Sequence, residues 1–190
     1  MALKDSFYVV GIGGSAGGIK PLKKLISYIP TDSNAAFVVV QHLLRTQKSY
    51  LADILSLVTS TKVSRIMGGE HVQRNTIYVL PENSFVTIER GELILRKRLP
   101  SELINYSIDI FFKSLGNHSG KKAIGIVLSG ANEDGALGAK AITQNSGTVF
   151  VQDPNTAEYP NMPEAVIRLD SPVEINDPEK LAKALMEIIM

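Results

Sequence analysis

The sequence contains no cysteine, and this absence excludes several kinds of protein. Without cysteine there is no disulfide framework, no thiol nucleophile and no cysteine-based metal site, and the composition is compatible with the reducing cytoplasm. Neither sign of charge is in excess, because 20 Lys and Arg residues oppose 19 Asp and Glu residues. Nucleic-acid binders usually carry a clear basic excess. We therefore expect a cytoplasmic protein that does not bind nucleic acid.

Long hydrophobic runs are also missing. No stretch approaches the roughly 18 apolar residues of a transmembrane helix, and Met1–Ser6, which include Lys4 and Asp5, lead into an apolar run too short for a signal peptide. Repeats, low-complexity tracts and linkers are absent as well. The 190 residues suit one globular domain. We expect a single domain over residues 1–190, without direct membrane insertion.

Short apolar runs alternate with longer segments of helical period, which is typical of a parallel sheet with crossover helices. The expected strands are 7–12, 36–40, 76–80, 123–128 and 148–152, and the expected helices are 18–28, 50–58, 108–115, 134–145 and 178–190. Residues 84–89 and 92–97 flank Gly91 and indicate a β-hairpin, which we expect to extend the sheet in antiparallel fashion. The predicted fold is α/β: a doubly wound, mostly parallel sheet with flanking helices and an inserted antiparallel hairpin.

Three chemically important residues follow three different predicted strands. Ser15 follows the first strand, His42 follows the second, and Asp134 follows the strand that ends at Leu128. In doubly wound sheets, sites lie in the crevice outside the carboxyl ends of the strands. A serine nucleophile needs a general base, usually histidine, and a carboxylate that orients the base. The sequence therefore predicts a Ser-His-Asp triad at this edge of the sheet.

The glycine-rich loop after the first strand allows two interpretations. Residues 13–17 fit G-x-S-x-G, the sharp turn that presents a nucleophilic serine. Residues 11–16 also fit the looser dinucleotide fingerprint G-x-G-x-x-G/A. A nicotinamide site needs an acidic residue at the end of the second strand, where this chain has Gln41 and His42. The hydrolase interpretation is favoured, and we expect neither an organic cofactor nor a metal.

Purely structural explanations compete with each assignment. The glycine loop is compatible with a simple tight turn, and Asp134 with the N-cap of the following helix. Glu133 and Asp153 are rival carboxylates, but Glu133 should face away from the site and Asp153 resembles a turn residue. His71 in a loop and His118 near a helix end are expected to have structural roles.

Taken as an ordered set, six segments resemble the catalytic domain of the chemotaxis-receptor methylesterases, the CheB family. They are GIGGSAGG at 11–18, VVVQH at 38–42, YVLP at 78–81, IDIFF at 108–112, GIVLSGANEDGALG at 125–138 and VQDPNTAEYPNMP at 151–163. The resemblance implies hydrolysis of glutamate γ-methyl esters on a methylated chemotaxis receptor or related signalling protein, and in some members glutamine deamidation. It implies Ser15 as nucleophile, His42 as general base and Asp134 as orienting carboxylate.

An oxyanion and substrate loop is also implied, built from Ala16, Gly130, Ala131, Asn132 and Met162. Ala16 stands where many members have threonine, which resembles the form in methylesterase–methyltransferase fusion proteins. Ala131 and Asn132 replace the methionine and glycine of the usual T-G-M-G-x-D-G segment. These changes keep an alternative open, namely a catalytically impaired CheB-like adaptor that binds partners.

Two further expectations concern the surroundings of the site. Asn161 replaces the glycine that usually precedes Met-Pro, and this change is expected to narrow the substrate groove. Many family members carry an N-terminal receiver domain, whereas the first predicted strand begins near Phe7. We therefore expect no receiver domain in this chain, and activity without phosphorylation.

Overall fold

The computed structural model describes residues 7–190, so the expectation for Met1–Ser6 lies outside the described residues. The strands are β1 (Tyr8–Gly14), β2 (Ala35–Gln41), β3 (Lys62–Arg65), β4 (Thr76–Val79), β5 (Ser84–Glu89), β6 (Glu92–Lys97), β7 (Ala123–Val127), β8 (Thr148–Gln152) and β9 (Glu174–Asn176). The helices are α1 (Ile19–Ile26), α2 (Leu51–Ser56), α3 (Ser107–Ser119), α4 (Ala136–Gln144), α5 (Asn161–Leu169) and α6 (Pro178–Ile189). Within the described range, no helix is both long and apolar enough to cross a bilayer.

Seven strands form one sheet in the order β3-β4-β2-β1-β7-β8-β9, and every neighbouring pair is parallel. From β1 the chain continues to β2 on one side, while β7 and the later strands lie on the other side. This reversal of strand order creates a crevice between the loops that follow β1 and β7, which is where α/β sheets bind ligands. The predicted doubly wound α/β fold is confirmed.

Helices cover both faces of the sheet, because successive strand residues point to opposite sides. Val9 and Val38 face the core shared with α3, α4 and α5, whereas Val10 and Phe37 face the core shared with α1, α2 and α6. Strands buried on both faces read as continuous apolar runs. This is why β2, which is buried at every position, was recognisable in the sequence.

The hairpin differs from the expectation, because it does not extend the main sheet. β5 and β6 pair with each other as a separate two-stranded sheet. Val86 and Ile88 of β5 belong to the same core cluster as Phe111 of α3, and the Ile88 amide donates to Ser114 Oγ at 3.0 Å. The apolar face of the hairpin is therefore buried against α3. At the edge of the main sheet, this face would lack that contact.

Helix α3 lies directly on β1 because glycines leave room for it. A Cβ atom at Gly13 would lie 2.6 Å from Ile108 Cγ2, and one at Gly11 would lie 2.8 Å from Phe112 Cε1. Real Cβ atoms do not approach other heavy atoms so closely. The glycines of β1 thus bring the first turn of α3 to the end of the strand that precedes Ser15.

Gly138 permits a similar close approach between α3 and α4, and Gly138→Ala is expected to reduce the free energy of unfolding by about 1–3 kcal/mol. The added Cβ would lie 2.6 Å from Phe112 Cβ and 3.0 Å from Asp109 Cα. The gain in helix propensity, up to about 1 kcal/mol, offsets only part of this cost. Urea unfolding measures the change, with the exposed Lys140→Ala as the control on the same helix. A Gly138→Ala variant as stable as the parent would contradict the packing described.

Candidate active site

Ser15 is the first residue after β1, and three backbone contacts fix its position. Its amide donates to the Ser129 carbonyl at 2.9 Å, which ties the loop after β1 to the loop after β7. Its carbonyl accepts from the Gly18 amide at 3.0 Å and from Gln41 Nε2 at 2.6 Å. The residue is half-buried. Ser15 is thus held at the rim of the sheet, in the crevice expected for a ligand site.

His42 lies beside Ser15 because β1 and β2 are in register. Gly14 pairs with Gln41, and the His42 amide donates to the Gly14 carbonyl at 2.9 Å. Residues that follow a paired position on adjacent parallel strands are separated by about 5 Å between their backbones. The register therefore brings the histidine to the serine from the neighbouring strand. The hydrogen bond between the serine hydroxyl and the imidazole stays a prediction.

Asp134 contacts the histidine directly. His42 Nε2 lies 2.7 Å from Asp134 Oδ2, and the two side chains are 11% and 1% exposed. The carboxylate also accepts from two consecutive amides in the first turn of α3, from Ile108 at Oδ2 and from Asp109 at Oδ1, both at 2.9 Å. Three donors thus converge on one buried carboxylate, at the N-terminus of a helix.

Three buried polar side chains support the serine loop, and none of them was predicted to belong to the site. Gln41 lies beneath the loop and donates to Ser15, as noted above. Ser129 Oγ donates to the Ala16 carbonyl at 2.8 Å. The Ser129 amide in turn donates to Gln152 Oε1 at 3.0 Å. Their only sequence signal was their position at strand ends, where polar residues interrupt apolar runs.

The residues expected in the oxyanion and substrate loop differ in burial and in hydrogen bonding. The Gly130 amide donates to the Tyr159 carbonyl at 3.0 Å, so it is occupied within the protein. Met162 is completely buried, and its Cε would lie 2.5 Å from a Cβ at Gly130. Met162 therefore packs beneath the loop that was assigned to the oxyanion and substrate, and its side chain has no exposed surface in this structure.

Ala16, Ala131 and Asn132 keep accessible positions. All three have surface exposure, and among residues 7–190 none of their backbone amides donates a hydrogen bond. The side chain of Asn132 has a definite role, since its Oδ1 accepts from the Asp134 amide at 3.2 Å. Such a local turn of an asparagine is a common way to fix a loop. The asparagine at this position thus helps to shape the segment that carries Asp134.

The rival residues lie elsewhere, as expected from the sequence. Glu133 is exposed and forms an ion pair with Arg168 at 2.7 Å. Asp153 caps a short 3-10 helix through the Asn155 amide at 2.9 Å. His71 forms an isolated bridge with Glu92, and His118 lies in the last turn of α3.

One buried carboxyl in this region was not expected. Asp109 is 5% exposed and accepts from the amides of Gly135 and Gly138, at 3.0 and 2.6 Å. Burial raises the pKa of Asp109, and the negative charge of Asp134 adds to this effect. Among residues 7–190, no group of three or more His, Asp or Glu side chains is arranged to hold a metal ion.

The chain is similar to known proteins in both sequence and structure. The family model for the CheB methylesterase matches residues 10–185. In solved structures, the chain is similar to the CheB methylesterase catalytic domain of Thermotoga maritima, with a TM-score of 0.87 and 25% identity, over 97% of this chain and 100% of that one.

Two relatives show the same similarity in sequence. A putative protein-glutamate methylesterase/protein-glutamine glutaminase of Leptospira interrogans is 32% identical, over 96% of this chain and 95% of the relative. Protein-glutamate methylesterase/protein-glutamine glutaminase 1 of Pseudomonas fluorescens is also 32% identical, over 95% of this chain but 54% of the relative. The chain belongs to the CheB methylesterase family.

Proposed function

We propose that this protein hydrolyses glutamate γ-methyl esters on methylated chemotaxis receptors, with Ser15, His42 and Asp134 as its catalytic triad. Family membership supports ester hydrolysis, and the names of the Leptospira and Pseudomonas relatives support glutamate esters as the substrate class. Those names also include glutaminase, so the amide of a receptor glutamine is the natural second substrate of the same site.

The observation that carries the proposal is the buried contact between His42 Nε2 and Asp134 Oδ2 at 2.7 Å, at the end of the strand adjacent to the one that Ser15 follows. A histidine–carboxylate pair held in this way fixes the imidazole tautomer and its direction. Because Nε2–H donates to the carboxylate, Nδ1 is left as the basic nitrogen that can accept the serine proton. The ring therefore uses its two nitrogens in the opposite sense to the chymotrypsin-type triad, in which Nδ1 contacts the aspartate.

The first chemical step is acylation. His42 Nδ1 takes the proton of the Ser15 hydroxyl while the oxygen attacks the ester carbonyl, and Asp134 stabilises the imidazolium that forms. The bond between the carbonyl carbon and the methoxy oxygen then breaks, and the leaving oxygen takes the proton from His42 to give methanol. Water attacks the acyl-enzyme with His42 again as base, which releases the glutamate carboxylate and the free serine.

The oxyanion of each tetrahedral intermediate needs hydrogen-bond donors that are free before the substrate arrives. The Ala16 amide fulfils this condition, and so do the Ala131 and Asn132 amides in the loop opposite, whereas the Gly130 amide is occupied. We assign the Ala16 amide and one amide of residues 131–132 to the oxyanion. The replacements at 131 and 132 change side chains, and this role needs only backbone N–H groups.

The test is turnover by the purified chain. A receptor fragment methylated on glutamate is incubated with the protein, and released methanol is measured together with the loss of the methyl group by mass spectrometry. We expect methanol release in proportion to protein concentration and time. If the protein binds the fragment and releases no methanol, the adaptor alternative is correct and the proposed activity is wrong.

A further inference from the structure

We propose that Asp109 is a positioning residue for this reaction: it fixes the backbone on the C-terminal side of Asp134 and thereby keeps that carboxylate directed at His42. The inference rests on the proposed function, in which Asp134 orients the general base. Asp109 does not touch the histidine or the serine in any described contact, so its effect is transmitted through Asp134.

The two carboxylates cap each other's helices. Asp134, just before α4, accepts from the second and third amides of α3, those of Ile108 and Asp109. Asp109, in the first turn of α3, accepts from the amides of Gly135 and Gly138 at the start of α4. Each aspartate thus accepts from N-terminal amides of the other helix, which have no partner within that helix.

This exchange replaces the usual local caps. The N-cap residues of α3 and α4 are Tyr106 and Gly135, and neither makes a side-chain capping hydrogen bond. In α6, by contrast, the N-cap residue Asp177 caps its own helix through the amides of Glu179 and Lys180. A cap that comes from another element constrains two loops at once, whereas a local cap constrains one.

The segment held by Asp109 is the one whose conformation matters for Asp134. Gly135 has a φ of 97°, a left-handed conformation that glycine adopts without strain but also leaves readily. Its amide belongs to the peptide group that joins it to Asp134, and Asp109 Oδ1 accepts from that amide at 3.0 Å. Loss of this acceptor would free the peptide to rotate and would let the Asp134 carboxylate move relative to the imidazole.

Glycine contacts bring the two helix starts together. A Cβ at Gly135 would lie 2.9 Å from Ile108 Cγ2, and one at Gly138 would lie 3.0 Å from Asp109 Cα. The N-terminal turns of α3 and α4 are therefore in direct contact, and the exchanged caps lie within a buried interface. A displacement of one cap is transmitted to the other instead of being absorbed by solvent.

The experiment compares Asp109→Ala and Asp109→Asn with the matched cap deletion Asp177→Ala, in which the lost cap belongs to α6 on the opposite face of the sheet. Asparagine keeps an acceptor oxygen for Gly135 and Gly138, whereas alanine keeps none. For ester turnover we expect Asp109→Ala to lower kcat by about 10- to 100-fold, with KM little changed, because displacements of about 1 Å cost this much. Asp109→Asn should retain kcat within about threefold of the parent, as should Asp177→Ala.

A second readout does not need activity. The proton on His42 Nε2, shared with Asp134, gives a low-field resonance in the proton NMR spectrum, which His42→Ala identifies by its loss. We expect this resonance to broaden or disappear in Asp109→Ala and to persist in Asp109→Asn and Asp177→Ala, at a temperature at which all variants are folded. If the alanine variant does not fold, Asp109→Ser takes its place, because its hydroxyl is too short to reach both amides.

The outcomes test the positioning role of Asp109 separately from the proposed ester hydrolysis. An unchanged resonance together with an unchanged kcat in Asp109→Ala, with the melting temperature reduced as in Asp177→Ala, would show a merely structural cap and overturn the inference. Loss of kcat in Asp109→Asn equal to that in Asp109→Ala would also overturn it. If the parent protein lacks ester turnover, the proposed function fails, and the resonance alone still decides whether Asp109 positions the pair.

Discussion

Replacing Ser15 with alanine is expected to lower kcat for a glutamyl methyl ester by at least about 10³-fold, with a much smaller effect on KM. The substitution removes the oxygen proposed to form the acyl-enzyme, while the loop keeps its backbone contacts to Ser129 and Gln41. His42→Ala should cause a loss of similar size, and the double variant should be little worse than either single one, because the pair acts as a unit. Steady-state kinetics on the methylated receptor fragment gives these values.

The matched control for this experiment is Ser27→Ala. Ser27 follows α1, the helix that begins after the Ser15 loop, and its exposed hydroxyl donates to the Lys24 carbonyl. Its removal should leave kcat within about twofold of the parent, as for ordinary surface substitutions. Retention of more than a tenth of the parent kcat by Ser15→Ala, with a pure preparation, would show that another group carries the attack.

Replacing Asp134 with asparagine is expected to lower kcat by about 10²- to 10⁴-fold. The His42 Nε2–H and the Ile108 amide both donate to Asp134 Oδ2, and the Asp109 amide donates to Oδ1. Asparagine has one carbonyl oxygen and no charge, so it cannot stabilise the imidazolium as the carboxylate does. When its NH2 group takes the place of Oδ2, that group faces the ring and favours the tautomer that protonates Nδ1, the nitrogen proposed as base. Folding stability should also fall, because the carboxylate caps α3.

Two neighbouring acids provide the controls for this loss. Glu133→Gln removes an exposed pair with Arg168, and Asp153→Asn alters a turn that caps a 3-10 helix. Both variants should keep kcat within about threefold of the parent, because neither carboxylate contacts the triad. A silent Asp134→Asn together with a damaging Asp153→Asn would show that the orienting carboxylate is Asp153.

Much of the fold could be predicted because its signals are local. The strands β1, β2 and β7 are buried on both faces and therefore stand out as apolar runs, and the long helices carry a periodic apolar face. β3 and β9 were missed for the opposite reason. β3 is a partly exposed edge strand with Lys62, Ser64 and Arg65, and β9 has three residues, so neither gives an apolar run.

Helix α5 was missed as well, because Asn161–Leu169 begins in a segment rich in turn-forming residues. The hairpin was recognised from its alternating apolar and polar residues, but the prediction that it extends the main sheet was wrong. Alternating residues show that one face of the hairpin is buried, and they do not show whether a sheet or a helix packs against that face. Here the packing element is α3, which is itself placed by the glycines of β1.

In the candidate site, too, some residues could be predicted from the sequence and others could not. The three residues of the proposed triad could be singled out because the carboxyl ends of parallel strands meet at one edge. Asp109 could not, because an aspartate in the first turn of a helix has an ordinary explanation in the helix dipole. Its contacts with Gly135 and Gly138 depend on the packing of two helices that are separated in sequence, and no local pattern records that packing.

The central claim is that Ser15 is a nucleophile activated by His42, and covalent labelling tests it most directly. A fluorophosphonate reagent phosphonylates an activated serine with loss of fluoride, and peptide mass spectrometry locates the adduct. We expect one rapid adduct, on Ser15, in the parent protein, and labelling slowed by at least about 10²-fold in His42→Ala, since the base is required to activate the hydroxyl. Rapid labelling of a different serine, or equal rates on Ser15 with and without His42, would contradict the account.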